Sequence, residues 1–135
     1  MALEDRIQDE MYVDTESLLE DEFERAKALF DIYEDNTIAL ADDVTDLGPT
    51  ERILTRLVAQ QYVAEADDDP VPSLSYDYFY ERIDKGNSTV RNYFSSLVDD
   101  GLVVKAEEQG EHELVVERLD DVLDRIESAL STDED

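Results

Sequence analysis

The sequence predicts a mainly α fold with one small β-hairpin, and three observations lead there. Apolar residues recur at intervals of three and four in five stretches of the 135-residue chain, the spacing that lines side chains along one helix face. Two apolar-rich runs, Leu102 to Glu107 and His112 to Glu117, flank a turn at Gln109-Gly110-Glu111, which is the layout of a hairpin. Between the periodic stretches stand Asp46-Leu47-Gly48-Pro49, Asp67-Asp68-Asp69-Pro70-Val71-Pro72 and Lys85-Gly86-Asn87, rich in residues that end helices and form turns.

Residues 1–14 carry little periodic signal and are expected to be weakly ordered. Residues 15–48 are expected to form an N-terminal helical extension. Leu19, Phe23, Ala26, Phe30 and Tyr33 alternate spacings of four and three, which makes one long helix with an apolar seam, capped by Asp14, Thr15 or Ser17. That seam suits packing on the chain's own domain as well as it suits a second copy. Ile38, Leu40, Ala41, Val44 and Leu47 fit a short helix or an irregular crossover equally.

A new helix begins at Pro49, because proline in a first turn forfeits no helical hydrogen bond. Its inward stripe is Ile53, Leu54, Leu57, Val58, Gln61 and Tyr62. The aspartates at 67–69 read as a solvated loop, since consecutive side chains point apart and no turn glycine follows to shape a cation site. Ser73 to Asp84 then reads as a helix with Tyr76, Phe79, Tyr80 and Ile83 inward, although Tyr76, Tyr78 and Tyr80 also alternate like a strand.

The stretch from Lys85 to Lys105 organises the rest. Val90, Phe94, Leu97 and Val98 share one helix face and are expected to be buried. Thr89, Arg91, Asn92, Ser95 and Ser96 lie on the other, and from Lys85 to Val98 there are two basic residues and no acid. Asn87 is a candidate N-cap, and Gly101 falls where a helix ends in a left-handed residue. A helix with a polar N-terminal turn of this kind suits phosphate and base-edge contacts in a major groove. Any helix packed on a core shows the same periodicity, so the order of elements around it carries more weight. The last stripe, Leu119, Val122, Leu123, Ile126, Ala129 and Leu130, makes a C-terminal helix over 118–131, followed by an acidic tail at 132–135.

Composition narrows the function classes. The net charge is −27, with 38 acidic residues against three Lys and eight Arg. Such acid enrichment resembles the proteins of extreme halophiles: at about 1 M salt the Debye length is roughly 3 Å, so self-repulsion is screened while carboxylates keep the surface hydrated. The acid is spread over the helices and both ends, which fits that reading better than a single interaction tail. No apolar run approaches a membrane span, and the first residues lack a signal peptide's basic-then-apolar layout, so a cytoplasmic protein with no membrane partner is expected.

There is no cysteine, and the lone His112 is read as an exposed surface residue on the hairpin. No phosphate loop, dinucleotide fingerprint or nucleophile elbow occurs, and carboxylate pairs arise from composition alone. The expectation is a non-enzyme without a cofactor or metal site, beyond non-specific potassium or other cations at the acidic surface.

Residues 49–117 resemble a winged helix-turn-helix DNA-binding domain, with the run from Ser88 to Lys105, STVRNYFSSLVDDGLVVK, matching the recognition helix, its DDGL stop and the first wing strand. The whole, with its added N- and C-terminal helices, resembles the haloarchaeal PadR-like regulators. The resemblance implies a sequence-specific transcription regulator that binds a palindromic operator in double-stranded DNA as a homodimer. Arg91 is then the guanine contact; Asn87, Ser88, Thr89, Asn92 and Ser95 reach bases or phosphates; Arg82 and Lys85 position the backbone, with Arg52 and Arg56 reaching it if their helix end faces the groove. The stripe on the terminal helix (Leu119, Val122, Leu123, Ile126, Leu130) together with Leu19, Phe23 and Phe30 would join the two copies. A response to oxidants, also implied, would have to work without a thiol.

The hairpin departs from a usual basic wing in carrying Glu107, Glu108, Glu111 and Glu113. Its approach to phosphate would need a bridging cation. Charge otherwise runs in the expected direction: residues 50–105 carry a net −4, against −13 before them and −10 after. Two alternatives stand beside this reading, an acidic winged-helix module that binds a basic protein and a DNA-mimic inhibitor.

Overall fold

The computed structural model describes residues 2–10, 15–67, 69–106 and 110–133. The chain is mostly helical with two small antiparallel sheets. In order, it runs α1 (Leu3–Glu10), α2 (Thr15–Asp21), α3 (Phe23–Lys27), β1 (Phe30–Ile32), β2 (Ile38–Leu40) and α4 (Asp42–Thr45). Then come α5 (Pro49–Ala66), β3 (Leu74–Ser75), α6 (Tyr76–Tyr80), α7 (Asn87–Asp99), β4 (Val103–Lys105), β5 (Glu111–Leu114), a single 3-10 turn (Val116–Arg118) and α8 (Leu119–Asp133). No described helix is long and apolar enough to cross a membrane.

The central helix is α5. Pro49 opens it and Ile53, Leu54, Leu57, Val58, Ala59 and Val63 are enclosed. Two polar side chains on this buried face are satisfied locally: the Thr55 hydroxyl donates to the Glu51 carbonyl at 2.8 Å, and Gln61 Nε2 donates to the Leu114 carbonyl at 3.2 Å. One is absorbed by the helix itself, and the other ties α5 to β5 without leaving a polar group stranded.

The N-terminal part departs from the single long helix expected. Leu3–Glu10 is helical despite its weak periodicity, and the proposed cap Asp14 lies outside the described residues. The seam from Leu19 to Tyr33 is divided between α2, α3 and a β-hairpin pairing Phe30 with Leu40, Asp31 with Ala39 and Ile32 with Ile38. Phe30 and Ile32 alternate around Asp31, as a strand requires, and Asn36 takes the left-handed backbone of a tight reversal (φ 68°). Hydrogen bonds from the Thr37 side chain and amide hold the Asp35 carboxyl below the usual carboxylate range and fix the turn.

The expected helix from Ser73 to Asp84 is also shorter. Leu74 and Ser75 pair with His112 and Glu111 as the third strand of a sheet ordered β3-β5-β4, and the Ser75 hydroxyl caps α6 by accepting from the Tyr78 amide at 3.2 Å. Phe79 and Ile83 are buried as expected, but Tyr76 and Tyr80 are only half-buried. Their rings stack 5.9 Å apart.

The α8 stripe is taken up by the chain's own core and not left open for a second copy. Leu119, Val122, Leu123 and Ile126 are fully enclosed, packed with α5 in the chain's own core, and Leu130 is half-buried beside them. Leu19 and Phe30 are buried in the same core. A side chain that exposes almost nothing has no apolar area left to give a partner. Of the eight residues expected to join two copies, Phe23 alone stays substantially open, at 48% exposure.

His112 corrects a second expectation. It is 2% exposed, not a surface residue, because it faces inward from the middle strand β5. Its ring packs 4.8 Å from Phe94 and 4.9 Å from Tyr76, and its Nδ1 is enclosed without a hydrogen-bond partner. Burial, and then the Lys105 charge, push its pKa below the ordinary histidine value. The unfolded chain therefore binds this proton at a higher pH than the folded one does. Its contribution to stability is complete above about pH 6.5 and is lost as pH falls from there through the depressed folded value. His112→Phe is expected to remove that component: melting temperatures of wild type and variant should diverge as pH falls below about 6.5, with the wild type losing more on acidification.

Candidate nucleic-acid interface

The outer face of α7 is placed by what its inner face holds. Val90, Phe94 and Leu97 are buried, and Phe94 sits at the centre of an aromatic group, its ring 5.4 Å from Tyr76 and 5.1 Å from Phe79. At the far end, Gly101 adopts φ 80°, which lets its amide donate to the Val98 carbonyl at 3.0 Å and the Leu102 amide to the Leu97 carbonyl at 3.1 Å. This pair of bonds closes the helix and turns the chain into β4. A Cβ at Gly101 would also lie 3.3 Å from the Arg118 guanidinium.

With the inner face fixed, Asn87, Ser88, Arg91, Asn92, Ser95 and Ser96 are exposed together, while Thr89 is half-buried. Gly86, not Asn87, occupies the cap position, and no side chain caps the helix start. Asn87 is thus the first helical residue, with its amide side chain at the exposed N-terminal turn where the helix dipole favours an anion. No acidic residue stands in that first turn.

The flanking cations are held by tyrosines, a feature the apolar periodicity did not indicate. Arg91 Nη1 donates to the Tyr80 hydroxyl at 3.0 Å. The Arg82 guanidinium lies 3.8 Å over the Tyr78 ring and donates to the Tyr78 carbonyl at 2.9 Å, with Glu81 3.5 Å away. Lys85 is exposed in the turn before α7. Tyr78 and Tyr80 thus belong to the site. The Tyr78-to-Arg82 spacing of one helical turn was the signal available for the first of these contacts.

Arg52 and Arg56 do not join this face as free cations. Arg56 is half-buried, donating to the Tyr78 hydroxyl at 3.0 Å and the Ile38 carbonyl at 3.4 Å, so it braces α6 and β2 against α5. Arg52 is half-buried too, its Nε enclosed without a hydrogen-bond partner. Both sit on the core helix, whose inward packing sets where their stems can go.

At the hairpin, Glu107 and Glu108 lie outside the described residues. Glu111 accepts a hydrogen bond from the Ser73 hydroxyl at 2.7 Å, so this carboxylate helps hold the sheet edge. Lys105 is exposed at the end of β4. The surface as a whole offers amide, hydroxyl, guanidinium and ammonium groups along one helix and the turn before it, which suits hydrogen bonding to base edges and phosphates. In comparisons with known proteins, no family model matches the chain, and neither a curated protein nor a solved structure matches it.

Proposed function

We propose that this chain is a sequence-specific DNA-binding transcription regulator of a halophilic archaeon's cytoplasm, built as a winged helix-turn-helix in which α5, α6 and α7 are the three helices and β4 and β5 the wing. The observation that carries the reading is the outer face of α7, which is free of carboxylates from Asn87 to Val98 and meets its first at Asp99 in the last turn, in a chain of net charge −27. Where salt is molar, counterion release contributes little to affinity, so binding depends on base-edge hydrogen bonds, packing and bound cations. A face of Asn, Ser and Arg side chains supplies the first of these. Arg91 and Asn92 are the base readers, Asn87, Ser88 and Ser95 reach bases or phosphates, and Arg82 and Lys85 set the backbone.

Two copies on the half-sites of a palindrome belong to this reading, with the seam moved away from the α8 stripe. Selection from a random duplex library in molar KCl is the direct test. Enrichment of a palindromic motif supports the proposal, whereas recovery of unselected sequence after repeated rounds overturns it. The −27 charge and the acidic hairpin favour a second reading, an interaction module for a basic protein. In that case Arg91→Ala and Asn92→Ala leave partner binding unchanged.

A further inference from the structure

Away from the α7 face, α3 and β1 border an open apolar cleft whose floor is Tyr62 of α5. One part, about 260 Å³, is walled by Phe23, Phe30 and Ile32 with Lys27 and Asp31 at its edge. An adjoining part, about 490 Å³, shares Phe23 and Tyr62 and is rimmed by Glu16, Glu20, Glu24 and Glu65. The Tyr62 ring stands 6.2 Å from both Phe23 and Phe30, tilted against each, so three aromatic rings meet at the join. Tyr62 is fixed there because its hydroxyl donates to the Leu19 carbonyl at 2.6 Å. Burial, and then the charge of Glu22, push its pKa up to about 12, which keeps the hydroxyl a neutral donor and leaves the ring uncharged.

The cleft already shows which charge it takes. Lys27 Nζ lies 5.6 Å from the centre of the Phe23 ring and 3.1 Å from Glu24, an ammonium set between an aromatic wall and a carboxylate. Both partners are exposed, and among the described residues Lys27 is the single basic one lining either part of the cleft, against five acidic ones. An anion is repelled by that rim. A neutral apolar molecule gains nothing from it, and a second copy of this chain brings its own excess of acid. What fits is apolar surface for the rings joined to a positive charge for the rim.

We propose that the cleft formed by Phe23, Phe30, Ile32 and Tyr62 binds an amphipathic organic cation, an aromatic or branched apolar body bearing a quaternary or protonated amine. The apolar body lies against Phe23 and Tyr62, and the cationic head sits toward Glu20, Glu24 and Glu65. Lys27 competes for the same aromatic wall and sets the threshold for entry. The site is independent of the DNA reading, since none of its lining residues lies on α6 or α7.

The test is isothermal titration calorimetry of the full chain with benzyltrimethylammonium, compared with tetramethylammonium, which keeps the charge without the ring, and with benzenesulfonate, which keeps the ring and reverses the charge. Benzyltrimethylammonium is expected to bind saturably and about tenfold more tightly than either comparison ion. Phe23→Ala should weaken it severalfold and Lys27→Gln should tighten it. Both positions are exposed, so circular dichroism should show the fold intact. Equal binding of benzenesulfonate, no saturable heat, or unchanged affinity in Phe23→Ala overturns the proposal. So does concentration-dependent self-association abolished by Phe23→Ala, which assigns the cleft to a second copy.

Discussion

Phe94→Ala is expected to destabilise the protein by about 4 kcal/mol, the largest single-residue effect in this account. Phe94 is 1% exposed and meets three rings on two elements: Tyr76 and Phe79 of α6, and His112 of β5. Truncation removes the apolar transfer energy of the ring and the edge-to-face contacts with both α6 aromatics, and leaves a cavity the rigid neighbours cannot fill. Urea unfolding in molar KCl reads the loss as a lower midpoint at unchanged slope. Phe94→Leu should recover more than half of it, since most of the volume returns. A loss below about 1 kcal/mol for the alanine variant would mean that α7 does not rest on this aromatic group.

Arg25→Ala is expected to cost about 2 kcal/mol at low salt and under about 1 kcal/mol in molar KCl. The guanidinium donates to Glu22 at 2.8 Å, to Asp120, Asp124 and Glu127 at 2.7 Å each, and again to Glu127 through Nε at 3.1 Å. One cation thus ties α3 to three carboxylates of α8. Glu127 and then Asp120 are the strongest influences holding Arg25 charged far above the range where it could lose its proton. Removing it leaves four acids facing one another across two elements. Their side chains on α8 are 44% to 69% exposed, so salt screens most of the repulsion that follows. The salt dependence separates this account from simple loss of packing, which would cost the same at any ionic strength. Melting curves of the wild type and the variant across a KCl series measure it directly.

The clearest parts of the fold in the sequence were those where local and long-range preferences agree. Pro49 and the stripe from Ile53 to Tyr62 marked α5, the Gly101 stop marked the end of α7, and the C-terminal stripe marked α8. The N-terminal hairpin was obscured because Phe30 and Tyr33 continue a helical spacing that begins at Leu19. The competing strand alternation of Phe30 with Ile32 and of Ile38 with Leu40 wins through cross-strand pairing, which one-dimensional periodicity does not contain. The C-terminal stripe is plainly apolar in the sequence, but an apolar stripe does not say what covers it; here α5 does. The burial of His112 is not legible locally, because it follows from β5 being the middle strand, and that depends on Leu74 and Ser75 leaving the expected helix to pair with it.

At the α7 face, the exposed polar residues followed from periodicity alone, since a known inner face fixes the outer one. The tyrosine contacts to Arg82 and Arg91, and the internal bonds of Arg56, depend on how α6 lies against α5 and α7. That arrangement comes from the packing of Phe79, Ile83 and Phe94. The role of Arg25 is hidden for a similar reason: apart from Glu22, its partners lie 95 to 102 residues away in sequence, and in so acidic a chain no single carboxylate stands out as a partner.

The central claim is that the outer face of α7 reads DNA, and the most direct measurement is binding of a selected duplex to wild type, Arg91→Ala and Asn92→Ala across a KCl series. Each substitution is expected to weaken the selected sequence by about 1 to 3 kcal/mol, roughly five- to more than a hundredfold, and to relax preference at one base position. Losses of that size that persist in molar KCl are the result predicted for base-edge contacts. Affinity and base preference that stay unchanged in both variants would contradict the claim and remove α7 as the reading element.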